Sequence, residues 1–378
     1  MQLAKRVMFM TGYSRGQEGV YVAEAGEDLL RIAGARGVPV GLLEELNPGV
    51  GRRDSLQTGQ AVAVPSPHRH RGTVVAVSNR QAGPCLVAID VCSGEVRVLE
   101  AGACAWSSVP VLSPDGDRVA YQGPDGRVAV LSTDGGSPVP IGRSPSGFVS
   151  PKWSPTGELL AWDSDGVTEV LSASGELVAR IEGACPSWMG RGRSIAVIRD
   201  GRAVLVDLGD GTSVQLEAVL RPQDQVWAVH GATMGSVYAC VATVNGQLRL
   251  EVHDWFTGDR AGVDVGSDLW PWSIKWSPDC TMLAAQSGTQ MGMESAVTVT
   301  FYQVDAAGPE IRPVDSVTLV SDPRYAGLSW SHSSDAVALS ARVAGGGAYA
   351  VHIVELLGGV HRITGRGDSV LPDWGPSR

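Results

Sequence analysis

A short motif recurs along most of the chain, and this repetition constrains the fold more than any other feature. The motif is an apolar strand, a Trp-Ser-Pro turn and a second apolar strand, as in PKWSPTGELLAW from Pro151 and IKWSPDCTMLAAQ from Ile274. Further copies begin at Val111, Pro186, Leu328 and Leu371, and a divergent copy without the Ser-Pro turn begins at Val226. Repetition of this kind is the signature of a fold built from similar units.

The spacing of the copies predicts four-stranded blades. Equivalent positions recur every 35 to 54 residues, and we assign them to Leu112, Trp153, Trp188, Val229, Trp276, Trp330 and Trp374. A propeller blade needs roughly 40 to 50 residues. We predict a mainly β fold with a seven-bladed β-propeller over residues 73–378. Six blades are the alternative if the region near Val226 is not a full blade.

The two ends of this region complete one blade. Residues 73–99 supply strands two to four without a first strand, and residues 369–376 supply a first strand alone. Their pairing would close the ring and remove exposed strand edges. The W-S-P-D-G motif resembles the repeat of TolB-like propellers, relatives of WD-repeat blades. That resemblance implies a fold and no particular chemistry.

Residues 19–66 have a different pattern and form a separate module, between a tail over residues 1–18 and a linker over residues 67–72. Alternation from Tyr21 to Glu24 predicts a strand, and helical spacing follows from Leu29 to Ala33. Pro39 suits the first turn of a second helix, which Asn47 would end before a last strand. The predicted order is strand, helix, helix, strand.

This module resembles the LysM family. The matching landmarks are Tyr21, Val22, Gly26, Leu29, Ile32, Ala33, Gly37, Val38, Leu43, Asn47, Pro48, Gly59, Gln60 and Pro65. The resemblance implies binding of an N-acetylglucosamine polymer such as peptidoglycan or chitin. The implied groove consists of Gly26, Glu27, Asp28, Leu29, Asn47, Pro48 and Gly49.

The module departs from the family pattern at one place. It has Glu27 and Asp28 where Gly-Asp-Thr-Leu is usual, so a Thr is lost and a negative charge is added. In the alternative interpretation these two acids favour the helix dipole, and Asn47 and Pro48 end a helix.

Charge and hydropathy exclude some classes of partner. The net charge of −10 argues against nucleic acid, and no apolar run is long enough for a membrane helix. The N-terminal segment lacks a signal-peptide pattern. Localisation therefore stays open: cell-wall or spore associated if the module binds glycan, and cytoplasmic otherwise.

Motifs for catalysis are absent from the sequence. It has no G-x-S-x-G elbow, no phosphate loop and no paired Cys or His at zinc spacing. We therefore predict no catalytic residues, no metal and no cofactor, and we interpret the six cysteines as buried free thiols. Lysine occurs at positions 5, 152 and 275, a scarcity that identifies no partner.

Aromatic residues in the predicted loops suggest a surface for a protein partner. These are Trp106, Trp270, Trp272 and Tyr325, beside a longer loop over residues 287–296. Filling gaps between blades is the alternative role for these rings. The sequence predicts a non-catalytic scaffold that attaches to glycan and binds a partner. A glycan- or peptide-modifying enzyme is the alternative, and it requires carboxylates and His in the central channel.

Overall fold

The computed structural model describes most of the chain in fourteen ranges. They are residues 18–36, 40–65, 70–81, 83–101, 108–123, 125–143, 150–216, 225–233, 235–288, 295–305, 310–322, 326–342, 348–364 and 369–376.

The N-terminal module has the predicted order of elements. Its elements are β1 (Glu18–Val22), α1 (Leu29–Arg36), α2 (Val40–Leu46) and β2 (Ala61–Pro65). Strands β1 and β2 pair antiparallel, and both helices contribute to one small apolar core. Leu29, Ile32 and Leu43 are buried there, as the helical spacing requires.

The rest of the chain forms seven four-stranded antiparallel sheets. The closing sheet, blade 7, begins with β3 (Thr73–Gln81), β4 (Gly83–Asp90) and β5 (Val96–Glu100). Blade 1 is β6 (Val111–Leu112), β7 (Arg118–Gln122), β8 (Arg127–Ser132) and β9 (Val139–Arg143). Blade 2 is β10 (Lys152–Trp153), β11 (Leu159–Ser164), β12 (Val167–Ser172) and β13 (Leu177–Glu182). Blade 3 is β14 (Ala184–Met189), β15 (Ser194–Arg199), β16 (Arg202–Asp207) and β17 (Ser213–Gln215).

The remaining blades follow in chain order. Blade 4 is β18 (Gln225–Gly231), β19 (Val237–Val244), β20 (Gln247–Asp254) and β21 (Arg260–Asp264). Blade 5 is β22 (Leu269–Trp276), β23 (Met282–Ser287), β24 (Ser295–Asp305) and β25 (Glu310–Ser321). Blade 6 is β26 (Ser329–Trp330), β27 (Ala336–Arg342), β28 (Tyr349–Glu355) and β29 (Val360–Arg362). Strand β30 (Ser369–Trp374) then pairs with β3 and completes blade 7.

The fold is therefore a seven-bladed β-propeller, and the prediction of seven blades is confirmed. A buried apolar cluster fills each gap between neighbouring blades, including the gaps on both sides of blade 7. Since every blade buries both faces against its neighbours, the ring is closed by packing as well as by strand pairing.

The Ser-Pro turns are structural, as expected. In blade 1 the Asp115 carboxylate accepts hydrogen bonds from the Ser113 hydroxyl and the Asp117 N–H, at 2.5 and 3.0 Å. The Ser113 hydroxyl also lowers the pKa of Asp115, since it bonds the ionised form. Asp279 accepts the same bonds from Ser277 and Thr281 in blade 5.

Blade 4 corrects one assignment made from the sequence. In blades 2, 3, 5 and 6, the Trp pairs with the residue seven positions later, as Trp276 does with Leu283. In blade 4 that relation belongs to Gly231, which pairs with Tyr238, and Val229 lies two residues before it. A bulge between Val226 and Ala228 shifts the register, which apolar alternation alone does not reveal.

The last residues of the predicted linker, 70–72, pack against the propeller. His70 is 4% exposed, and its Nε2 lies 2.9 Å from Glu355 Oε1. Its ring packs edge-on against Trp374 with the centroids 5.7 Å apart. The Trp374 indole in turn donates to the Arg71 carbonyl at 3.0 Å. Residues 70–72 therefore pack against the closing blade, whereas His68 lies outside the described residues.

Within the described ranges, no helix is long and apolar enough to cross a membrane. The described cysteines are free thiols, and Cys92 and Cys185 are exposed rather than buried as predicted.

Candidate functional site

The first strand of each blade borders the central channel, and one position in it forms a continuous ring. We call this set the channel ring; each member precedes the Trp or its structural equivalent. The channel ring consists of Val111, Lys152, Ser187, His230, Lys275, Ser329 and Asp373.

Each channel-ring residue accepts a hydrogen bond from the next blade. In four cases its backbone carbonyl accepts from an indole N–H. The pairs are Trp153 to Val111, Trp188 to Lys152, Trp276 to His230 and Trp330 to Lys275, at 2.8 to 2.9 Å. In the other three cases a side-chain oxygen accepts from a backbone N–H. These pairs are Gly231 to Ser187, Trp374 to Ser329 and Leu112 to Asp373, at 2.8 to 2.9 Å.

These two kinds of link show which side chains take part in joining the blades. Ser187, Ser329 and Asp373 hold their neighbours through the side chain, where the next blade has no indole available for the bond. Lys152, His230 and Lys275 hold theirs through the backbone carbonyl. The side chains of Lys152 and Lys275 take no part in these bonds, whereas the His230 side chain makes a second link to blade 5 through the Pro271 carbonyl.

The charges of the channel ring act on one another across the channel. Lys152 and Lys275 belong to blades 2 and 5, which are not neighbours. Burial, and then the charge of Lys275, lower the pKa of Lys152 from its usual 10.5 to about 8. Two of the three lysines in the sequence thus lie on first strands of different blades and close enough for their charges to interact.

The other two ionisable groups of the ring add little charge. Burial, with the charge of Lys152 next, lowers the pKa of His230 to about 3, so its imidazole is neutral at pH 7. Its Nε2 lies 3.0 Å from the Pro271 carbonyl, which can only accept, so Nε2–H is the donor. Burial raises the pKa of Asp373 against the opposing effect of Lys275.

The channel ring therefore contains two lysines and one aspartate, and burial disfavours the charged form of the aspartate. This is a positive site in a chain whose net charge is −10. It contains one carboxylate and one imidazole, and both are hydrogen-bonded to protein groups.

In the N-terminal module, several predicted groove residues form internal contacts. The Tyr21 hydroxyl donates to Glu27 Oε2 at 2.8 Å, and this bond raises the pKa of Tyr21. Asp28 Oδ1 accepts from the Arg31 N–H at 2.7 Å, at the start of α1. The Asn47 amide donates to the Leu43 and Ala63 carbonyls and accepts from the Ala63 N–H.

The remaining groove residues differ in exposure. Leu29 is buried, whereas Gly26, Pro48 and Gly49 are exposed. Gly26 and Gly49 have φ of 79° and 93°, in the left-handed region that favours glycine. Backbone bonds from Leu56 N to the Glu27 carbonyl and from Leu30 N to the Arg52 carbonyl hold the two loops side by side. These bonds join the first predicted half of the groove to residues 52 and 56, which follow the second predicted half, Asn47 to Gly49, along the same loop.

The predicted partner face is described in part. Trp106 and Tyr325 lie outside the described residues, as does most of the 287–296 loop, and the side chain of Trp272 is not described. Trp270 is 8% exposed and packs on Val297 and Ala326, so it fills a gap instead of facing a partner. Trp227, which the sequence did not single out, is 47% exposed near the start of β18.

Comparisons with known proteins support the fold. No family model matches the chain, and no curated protein matches it. A functionally unknown protein from Desulfotomaculum acetoxidans DSM 771 is 10% identical with a TM-score of 0.58, over 81% of this chain and 100% of that chain. The Cps50 (Swd1) β-propeller domain of Myceliophteria thermophila is 14% identical with a TM-score of 0.52, over 76% of this chain and 88% of that chain.

A third structure, the putative TolB of Agrobacterium tumefaciens, is 16% identical with a TM-score of 0.44, over 68% of this chain and 91% of that chain. At these identities the likeness shows a propeller fold alone. It does not extend to glycan binding, and the LysM assignment stays a prediction.

Proposed function

We propose that this chain is a non-catalytic binding protein with two sites, in which the propeller channel takes an anionic group of a partner and the N-terminal module takes an N-acetylglucosamine polymer. One observation supports the channel proposal: Lys152 and Lys275 both belong to the channel ring, and their charges interact. Each is linked to the next blade through its backbone carbonyl, so neither side chain is used in that link.

The energetics favour a bound anion. Burial disfavours the ammonium form of Lys152, and the like charge of Lys275 disfavours it further. A carboxylate or phosphate between the two ammonium groups would relieve the repulsion and replace lost solvation with charge-assisted hydrogen bonds. The ligand class is thus an anionic terminus or substituent narrow enough to enter a propeller channel.

Titration calorimetry on the full chain tests the channel. The probes are inorganic phosphate, a tetrapeptide with a free C-terminal carboxylate and the same peptide amidated. Lys152→Met and Lys275→Met should each weaken binding at least tenfold. Arg127→Met is the matched control, because it removes one positive charge from an exposed ion pair with Asp125.

The three probes separate the sources of the anion. Binding of the free peptide but not the amidated one would identify a carboxylate, and binding of phosphate alone would identify a phosphate. Equal binding of all probes by the wild type and the Lys152→Met variant would contradict the proposal. Binding should also weaken as pH rises through about 8, where Lys152 loses its proton.

The glycan proposal rests on the βααβ order and the adjoining loops of the module. Affinity from one such groove should be weak, since its predicted residues Glu27, Asp28 and Asn47 also make internal bonds. The full chain should co-sediment with purified peptidoglycan, and a chain lacking residues 1–66 should not. Persistent sedimentation of the shortened chain would contradict glycan binding by the module, and would leave the channel proposal untouched.

A further inference from the structure

Blade 4 contains a buried cluster of polar side chains that takes no part in the channel ring. Cys240 lies on β19, and Glu251 and His253 lie on β20. One donor atom from each lies within 4.8 Å of the other two. All three residues are buried, with exposures of 0%, 6% and 3%.

Strand register produces this convergence. Cys240 pairs directly with Glu251, and His253 follows two residues later, so all three side chains share one face of the sheet. Directly paired Cβ atoms lie about 5 Å apart, which brings long side chains into contact. The sequence spacing showed no metal motif because the donors come from two strands.

The cluster is supported on three sides. Tyr238 pairs with His253 across the strands and stacks on its ring, with centroids 5.1 Å apart and planes 12° apart. Arg249 Nε lies 3.5 Å from Glu251 Oε1, which leaves Oε2 directed at His253 Nε2 at 3.0 Å. Gly262, paired with Glu251 on β21, leaves the space that the Glu251 side chain occupies.

Arg260, which pairs with His253 on β21, is a second cation beside the cluster. Toward blade 3 the surroundings are apolar: Tyr238 and Cys240 belong to the cluster that fills the gap between blades 3 and 4, with Met189, Ala196 and Val229. The thiol, the carboxylate and the imidazole form a compact set of one sulfur, one oxygen and one nitrogen donor. Borderline divalent ions such as zinc accept this combination of ligands.

We propose that Cys240, Glu251 and His253 form a three-ligand site for a divalent transition metal, with zinc as the ion expected. On binding, Cys240 loses its S–H proton to solvent and coordinates as thiolate, and Glu251 coordinates as carboxylate. His253 coordinates through Nε2, which first gives up to solvent the proton that it shares with Glu251, and the imidazole keeps one proton on Nδ1. The stacked Tyr238 and the Arg249 ion pair orient the ligands, as outer groups do at metal sites.

Metal analysis of the untagged full chain tests this site. After chelator treatment and addition of Zn²⁺ under reducing conditions, the wild type should retain one equivalent of zinc through desalting. Cobalt(II) should give a thiolate charge-transfer band with the wild type. Both signals should be lost in Cys240→Ser and persist in Cys85→Ser, which removes a buried free thiol from blade 7.

A second variant distinguishes loss of the metal site from misfolding. Glu251→Gln keeps the size of the side chain and removes its charge, and it should weaken zinc affinity at least tenfold while the far-ultraviolet spectrum stays unchanged. If the wild type retains no zinc, or if Cys240→Ser and Glu251→Gln retain as much as the wild type, the cluster is a hydrogen-bonded pair beside a thiol and the proposal is wrong.

Discussion

The channel ring joins its blades in two ways, and the contrast separates structure from function. At Ser187, Ser329 and Asp373 the side chain accepts the bond from the next blade. At Lys152 and Lys275 the backbone carbonyl accepts it from an indole. Where an indole of the next blade makes the link, the side chain of the accepting residue takes no part in that bond. Lys152 and Lys275 can therefore contact a ligand without loss of these two bonds.

Blade 4 lacks the Trp at this position and is linked to blade 3 through a side chain. It has Gly231 in place of Trp, and a Cβ there would come within 2.2 Å of the Trp188 carbonyl and 2.3 Å of Met189 Sδ. Met189 fills part of the space next to this position, and Ser187 provides the missing link. The hydrogen bond from the Gly231 N–H to the Ser187 hydroxyl thus replaces the indole bond, so blade 4 is still joined to blade 3.

The largest expected effect comes from removing an indole link. Trp330 is 5% exposed, packs edge-on against Phe301 and donates to the Lys275 carbonyl. Trp330→Ala should lower the free energy of unfolding by about 3 to 5 kcal/mol in urea titrations, because it creates a cavity and breaks the link. Trp227→Ala is the control: it removes an exposed ring and should cost far less. Equal losses would mean that the indole links do not stabilise the ring.

A side-chain link should matter less. Asp373 accepts bonds from the Leu112 N–H and the Ser329 hydroxyl, both at 2.8 Å. Asp373→Ala leaves both donors unpaired and should cost about 1 to 3 kcal/mol by the same titration. Asp373→Asn keeps an acceptor and should recover part of this loss. If the Ala variant is as stable as the wild type, the side-chain links are dispensable.

A third variant should have an effect of the opposite sign. The folded pKa of Lys152 is about 8 and its ordinary value is 10.5, so folding at neutral pH opposes its protonation. That cost is fully present below pH 8 and fades as pH rises toward 10.5. Lys152→Met should therefore stabilise the chain at pH 7, by up to about 3 kcal/mol if the variant relieves the whole shift of the pKa. Thermal melts from pH 7 to 10 should show the gain shrinking; a gain that stays constant would contradict the shifted pKa.

Much of the propeller could be predicted because its signals are local. Trp-Ser-Pro turns, Gly hairpins and alternating apolar residues each fix a strand or turn within a few positions. The closing blade was predictable as well, since residues 73–99 lack a first strand and residues 369–376 provide one.

The candidate sites were harder to predict because they depend on distance in space. Lys152 and Lys275 each stand directly before a Trp-Ser-Pro motif, and this shared position was the available signal. Their convergence follows from ring closure, which linear spacing does not express. The metal ligands require the register of β19 and β20, and Gly231 was missed because a bulge precedes it.

The closing blade also sets how the molecule would bear a load. A pull on the N-terminal module would reach the propeller at His70 and continue into β3. That strand lies inside its sheet, paired with β30 on one side and β4 on the other. Extraction of β3 along its own axis would shear two ladders at once, with the His70 and Trp374 contacts added in parallel. If the load acts along β3, both strand ladders would therefore have to break by sliding at once, rather than opening one hydrogen bond at a time from the end.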